Sequence, residues 1–215
     1  DLHLCLPLHE AIHRLQDRDG QIVPRADAGG LHHLPCGEIR HADTYIGPFI
    51  ELLKRRKRYN KSLIILTSGC GDELYQHGFM FGHSRSVYEG VQRVPLIMKL
   101  PGGLHFGRRI SEMTAVCDIT PTILGYAGIE WPIELDGSDL AGIIEGAAQG
   151  RQFVPIAADK NRTNVPIYAL RTAEARFLFR ADEPAEVYQH PSDGVEASNL
   201  LKSEEKPQWV GDAVM

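Results

Sequence analysis

Between Asn60 and Gly69 the chain carries Leu63-Ile64-Ile65-Leu66-Thr67, an apolar run with no alternation of polar and apolar positions. A half-buried strand alternates with period two, and this run is far too short for a buried helix. It therefore reads as a strand covered on both faces, the pattern of a parallel sheet flanked by helices. A second run, Val94-Pro95-Leu96-Ile97-Met98, repeats the pattern. Its proline lies near the start, where a missing amide proton costs least, and Pro101-Gly102-Gly103 closes it in a turn.

Helical periodicity surrounds these runs. From Glu38 to Arg58 the apolar positions Ile39, Ala42, Tyr45, Ile46, Phe49, Ile50, Leu52 and Leu53 recur at three- and four-residue spacing and predict one buried stripe. The basic run Lys54 to Arg58 at its end suits the helix dipole and reads as a solvated terminus. A helix is expected from about Val116 to Tyr126, capped by Asp118 or Thr120, with Pro121 in its first turn and Gly128 as its stop. A shorter one is expected over Asp139 to Glu145. After Arg151 the texture changes. Phe153-Ala157, Pro166-Thr172 and Arg176-Arg180 are short runs with hairpin-length connections, which predict an antiparallel sheet. The chain thus divides into an α/β part over 1–150 and a small antiparallel α+β part over 151–215. Residues 1–35 have broken periodicity, with an exposed loop expected from Asp19 to Gly30.

In an open parallel sheet, ligands gather beyond the carboxyl ends of the strands. The loop SGCGDELYQHGFMFGHSRSVYE, residues 68–89, leaves the first strand and holds Cys70, Asp72, Glu73, His77, His83 and Arg85. His83 and Arg85 suit an anionic group, since a guanidinium binds sulfate or phosphate through two parallel hydrogen bonds. Composition narrows the partners. The formal net charge of -5 argues against a general nucleic-acid binder, which needs a basic surplus to neutralise phosphates. No stretch reaches the ~18 apolar residues of a membrane span, and no targeting segment opens the chain. Localisation is left open between the cytoplasm and export after removal of a signal. Cys5, Cys36, Cys70 and Cys117 form no CxxC pair, and spacing alone neither pairs them nor leaves them free.

Taken together, these segments resemble the sulfatase branch of the alkaline-phosphatase-like superfamily. The stretch TSGCGDELYQHGFMFGHSRSVYEGVQRVPLIMKLPGG is similar to the family's strand and loop, VCDITPTILGYAGIEWPIELDGSDL to its following helix, and GEIRHADTYIGPFIELL to its preceding one. DLHLCLP and EVYQHPSDGVEASNL resemble the family's patterns at the two ends. The resemblance implies a partial doubly wound, mostly parallel sheet flanked by helices, with a small C-terminal antiparallel sheet. It implies substrate-side roles for His3, His77 and His83, with Ser84 a weak substitute for a sulfate-contacting lysine.

It also implies what is damaged. The family holds calcium or magnesium partly through adjacent Asp and His or Asn side chains at the strand end, and this chain has Gly69 and Cys70 there. Glycine supplies no oxygen, a thiolate suits zinc better than a hard cation, and Asp72 would need a shifted loop to substitute. The family's nucleophile segment has no match in these residues, because Cys5 lacks the serine and arginine that should follow it. The expected function is therefore a non-catalytic, degenerate sulfatase-like domain with no catalytic residue and no cofactor. The alternative is a portion of a sulfuric or phosphoric ester hydrolase that would need the divalent cation and a nucleophile from elsewhere. A third reading takes His9-Glu10-Ala11-Ile12-His13 as a zinc-binding HExxH helix, with Glu38 or His41 as third ligand. An incomplete sheet implies a partner, either a second copy or a second subunit that covers it.

Overall fold

The structure, a computed structural model, describes residues 2–4, 33–73, 77, 83, 86–158, 165–190, 196–204, 207 and 209–210; for 2–4 and 33–38 it describes the backbone alone. The chain forms two compact units, each assembled from two separate segments. Residues 1–68 join 95–150 in the first, and residues 69–94 join 151–215 in the second.

The first unit contains strand β1 (Leu2–Leu4), helix α1 (His33–Arg55) and strand β2 (Ile64–Thr67). The one-turn helix α2 (Glu89–Gln92) belongs to the second unit and precedes the first unit's β3 (Leu96–Lys99) and β4 (Arg109–Ile110). Helices α3 (Ile119–Ala127) and α4 (Ala141–Glu145) complete the first unit. The strands lie in the order β2-β3-β1-β4.

The expected mostly parallel sheet is not what forms. Ile64 pairs with Lys99 and Thr67 with Leu96, so β2 and β3 run antiparallel, as do β1 and β4. Among the described residues only β1 and β3 are parallel. The reason for the misreading is physical. A continuous apolar run reports that both faces are covered and is silent on strand direction, and a connection as long as that between β2 and β3 permits either sense.

Successive β2 side chains face opposite layers. Ile64 and Leu66, with Ile97 of β3, pack against Ile46, Ile50 and Leu53 of α1. Leu63 and Ile65 pack on the other layer, where Leu96, Met98, Leu100 and Ile110 meet Leu140, Ile143 and Ile144. All four β3 residues are buried, whereas Ile64–Leu66 of β2 are only half-buried and Thr67 is exposed. α3 starts where a one-turn 3-10 helix ends at Asp118, whose carboxylate accepts from the amides of Ala115 at 2.7 Å and Ser138 at 2.8 Å. It ends at Gly128, whose φ of 66° places it in the left-handed region that glycine tolerates.

The second unit's sheet runs β5 (Phe153–Ala158), β6 (Ile167–Thr172), β7 (Ala175–Arg180) and β8 (Glu186–Gln189), in sequence order and antiparallel throughout. Its inner face carries Ile167, Ala169, Leu178 and Tyr188, and onto it the 69–94 segment lays Val87 and Tyr88.

Candidate functional site

The segment that follows β2 is held at its base by backbone. The Gly71 amide donates to the Val91 carbonyl at 2.7 Å, and a Cβ on Gly71 would collide with the Gly90 carbonyl oxygen, so only glycine fits there. Gly69 is different: among the described residues a Cβ built on it meets nothing within 4 Å. The described residues therefore do not exclude a side chain at Gly69. Cys70 beside it is exposed.

Asp72 and His83, eleven residues apart, are brought together with Oδ1 and Nδ1 at 3.0 Å, each about half exposed. Behind them Glu73 is buried, and its Oε1 accepts a 2.5 Å hydrogen bond from the Ser86 hydroxyl. Its Oε2 is buried without a hydrogen-bond partner among the described residues. Burial pushes the Glu73 carboxyl above the ordinary carboxylate range, against the opposing pull of Ser86, His77 and Arg176.

His77 lies flat on Tyr88, with ring centroids 3.6 Å apart and planes 7° from parallel, and its Nε2 is 3.7 Å from Glu196 Oε2. This ring faces the interior of the unit, and its side chain is only 12% exposed.

A buried ion cluster then ties the segment to the sheet. Arg176 on β7 donates through Nη1 to Glu89 and through Nη2 to the Val87 carbonyl at 2.6 Å. Its Nε lies 3.2 Å from Glu196 Oε1, close enough for an ion pair although not aligned for a hydrogen bond. Glu196 closes the ring by accepting from the Glu89 amide at 2.7 Å. Arg171 and Arg93 each approach Glu89 at 3.8 Å. Burial draws the Arg171 guanidinium below its usual range. Alongside, Tyr88 and Tyr188 both donate to Glu186 Oε2, at 2.8 and 2.6 Å, and Arg180 pairs with the same carboxylate. Burial pushes the Tyr88 phenol up to about 12 and raises Tyr188 further.

Of the residues singled out in the sequence, Asp72 and His83 meet, and His77 turns inward. His3 sits in β1 of the first unit, registered against Ile97 and Arg109. Arg85 and Ser84 lie outside the described residues, as do His9, Glu10, His13, Cys5 and the loop expected over Asp19 to Gly30. Glu38 is described only as α1 backbone, and His41 is exposed with its ring edge on Tyr45. Among the described residues no group of three or more His, Cys, Asp or Glu side chains could hold a metal ion. The described residues do not fit calcium or magnesium: Gly69 has no donor, Cys70 offers sulfur, and one Asp72 oxygen already faces His83. None of their helices is long and apolar enough to cross a membrane.

The ion cluster is absent from the sequence reading. Its signal lies in Arg176-Phe177-Leu178-Phe179-Arg180, where both arginines share the inward phase with Leu178. A charge in that phase demands a buried counter-charge.

Comparison with known proteins follows the same segments. The family pattern described as sulfatase matches residues 17–129, and that described as N-sulphoglucosamine sulphohydrolase, C-terminal, matches residues 76–210. Choline-sulfatase of Rhizobium meliloti is 28% identical over 179 residues, 79% of this chain and 33% of that protein. Arylsulfatase of Clostridium perfringens is 29% identical over 183 residues, 81% of this chain and 36% of that protein. The crystal structure of phosphonate monoester hydrolase of Agrobacterium radiobacter superposes with a TM-score of 0.67 at 24% identity, covering 79% of this chain and 36% of that one. The chain thus spans about a third of the length of these relatives.

Proposed function

The chain belongs to the sulfatase family, and from that premise we propose that it is a degenerate member of the fold that does not hydrolyse sulfate or phosphate esters unaided. One observation carries this reading. At the strand end where the family's cation should be held, the chain has Gly69 and Cys70, while Asp72 is engaged by His83. A hard cation needs several oxygens, and none of these neighbours replaces the missing one. In this reading His83 and Arg85 are the residues left to meet an anionic group, and His77 serves the interior.

The test is hydrolysis of an aryl sulfate and an aryl phosphate by the purified chain, with added calcium or magnesium and then with chelator. No turnover is expected under either condition. Turnover that disappears with chelator, and again with one substitution between residues 68 and 85, overturns the proposal.

A second reading makes this chain the later portion of a working sulfuric ester hydrolase. Its support is that the curated relatives are sulfatases matched over only about a third of their length. Both readings leave a sheet to be covered by a second copy or a second subunit. The zinc reading rests on His9 and His13; stoichiometric zinc lost on His9→Ala would establish it, and zinc-free protein would end it.

A further inference from the structure

At one end of the second unit's sheet the inner face gathers like charges. Arg171 follows Ile167 and Ala169 in the inward phase of β6, and it stands in register with Arg176 of β7. Cross-strand partners share a face, so two guanidiniums lie side by side, an arrangement that repels unless negative charge stands between them. His190, the first residue after β8, is tied to the turn before β7 by its amide, which donates to the Glu174 carbonyl at 2.7 Å.

The negative charge at hand is divided unevenly. Arg176 donates to Glu89 Oε2, whereas Arg171 Nε comes no nearer to that oxygen than 3.8 Å, too far for a hydrogen bond. Among the described residues the Arg171 guanidinium makes one hydrogen bond, from Nη1 to the Thr172 carbonyl. Its Nε–Nη2 edge, the side on which two parallel N–H groups can grip one oxyanion, meets no acceptor among them, although the side chain is only 17% exposed. His190 is half-buried, and its imidazole likewise has no hydrogen-bond partner among the described residues. Arg93 approaches the other Glu89 oxygen at 3.8 Å, with its own side chain half exposed.

The charges that bear most on His190 are Arg171, Glu89, Arg93 and Arg176, three guanidiniums to one carboxylate. Burial, and then Arg171, hold the imidazole below the usual histidine range. A shielded guanidinium edge without an acceptor is costly, and like charges beside it add to the cost. An anion at that edge would relieve both. We propose that Arg171, with His190 and Arg93 around it, forms a binding site for a tetrahedral oxyanion, sulfate or phosphate, free or at the end of an ester. The Nε–Nη2 edge of Arg171 takes two oxygens, His190 donates from a ring nitrogen to a third, and Arg93 adds positive charge. Glu89 lies close, and the hydrogen bond it accepts from Arg176 offsets its repulsion. The site uses neither His83 nor Arg85 and does not depend on the reading given for them.

The 215-residue chain is titrated with sulfate, phosphate and phenyl sulfate by calorimetry at constant ionic strength, with chloride as the blank. One anion per chain is expected, and Arg171→Gln should weaken it about tenfold or more. Arg171→Lys keeps the charge and removes the fork, so it should also weaken binding; circular dichroism checks that each variant folds. Tighter binding of phenyl sulfate than of sulfate supports an ester group as occupant, and the reverse order a free ion. A second readout leaves Arg171 unchanged. The His190 imidazole, assigned by NMR through the signal lost in His190→Gln, should titrate at higher pH with sulfate bound, because an added anion favours the imidazolium beside Arg171, Arg93, Arg176 and Glu89. Absence of saturable binding overturns the proposal, as does binding that Arg171→Gln leaves intact. A His190 titration indifferent to sulfate overturns it too.

Discussion

Glu73 is buried, yet among the described residues its carboxyl meets only one donor, the Ser86 hydroxyl. Desolvation dominates its environment and favours the neutral form over the charged one. The consequence for stability has a definite sign. A carboxyl whose folded pKa is raised binds its proton more tightly in the native state. Its contribution is therefore complete below the unfolded pKa of about 4.3 and is lost as pH rises through the higher folded value. Glu73→Gln retains an oxygen that accepts from Ser86 and needs no proton. Its stability relative to the parent should rise as urea unfolding is measured from pH 4 to pH 7.5. A difference that stays flat over that range would mean that Glu73 is ionised without penalty. The neighbouring glycines show how differently one residue type can act. Gly71 has no room for a Cβ, while a Cβ on Gly69 would meet no described residue within 4 Å.

At the scale of elements, the segment after β2 is held both by buried charge and by the apolar contacts of Val87 and Tyr88. Glu89 and Glu196 are both buried and both depend on Arg176. Removing one partner of a buried ion cluster strands the others, which costs about 3–5 kcal/mol. Arg176→Met should therefore destabilise the second unit by about that amount in urea titration, with hydrogen exchange accelerating first around the Gly71 and Glu89 amides. Equal protection in parent and variant would assign the anchoring to Val87 and Tyr88 instead.

Elements were the most legible level of the sequence. Gly128 stops α3, because glycine's tolerance of positive φ is a local property; Asp118 stands at the start of α3, but its carboxylate accepts from the amides of Ala115 and Ser138 and from none of the helix's own. The direction of β2 against β3 was not legible, since burial constrains faces and leaves sense to long-range pairing. The strand Glu186–Gln189 was passed over for a similar reason: four residues with only Val187 and Tyr188 buried carry little periodicity of their own. At the site, the loop was found through its density of ligand-type residues, and Asp72 and His83 do meet there. Glu196 was missed because its role exists only once Arg176 and the Glu89 amide surround it.

For the whole molecule, the decisive feature is that both units are discontinuous, so the chain passes between them at residues 68, 94 and 150. The Glu89 amide bonds a carboxylate 107 residues further on. On a ribosome, the 69–94 segment is thus synthesised long before β7 and Glu196 exist to receive it, and loop closure over that separation makes its docking a late event. A polypeptide terminated just before Glu196 should keep the β2–β3 pairing of the first unit and lose hydrogen-exchange protection at the Gly71 and Glu89 amides, whereas the 215-residue chain protects both. A frameshift or early stop just before Glu196 would consequently disable the earliest-made part of the second unit, the stretch holding Asp72 and His83, without touching a codon within it.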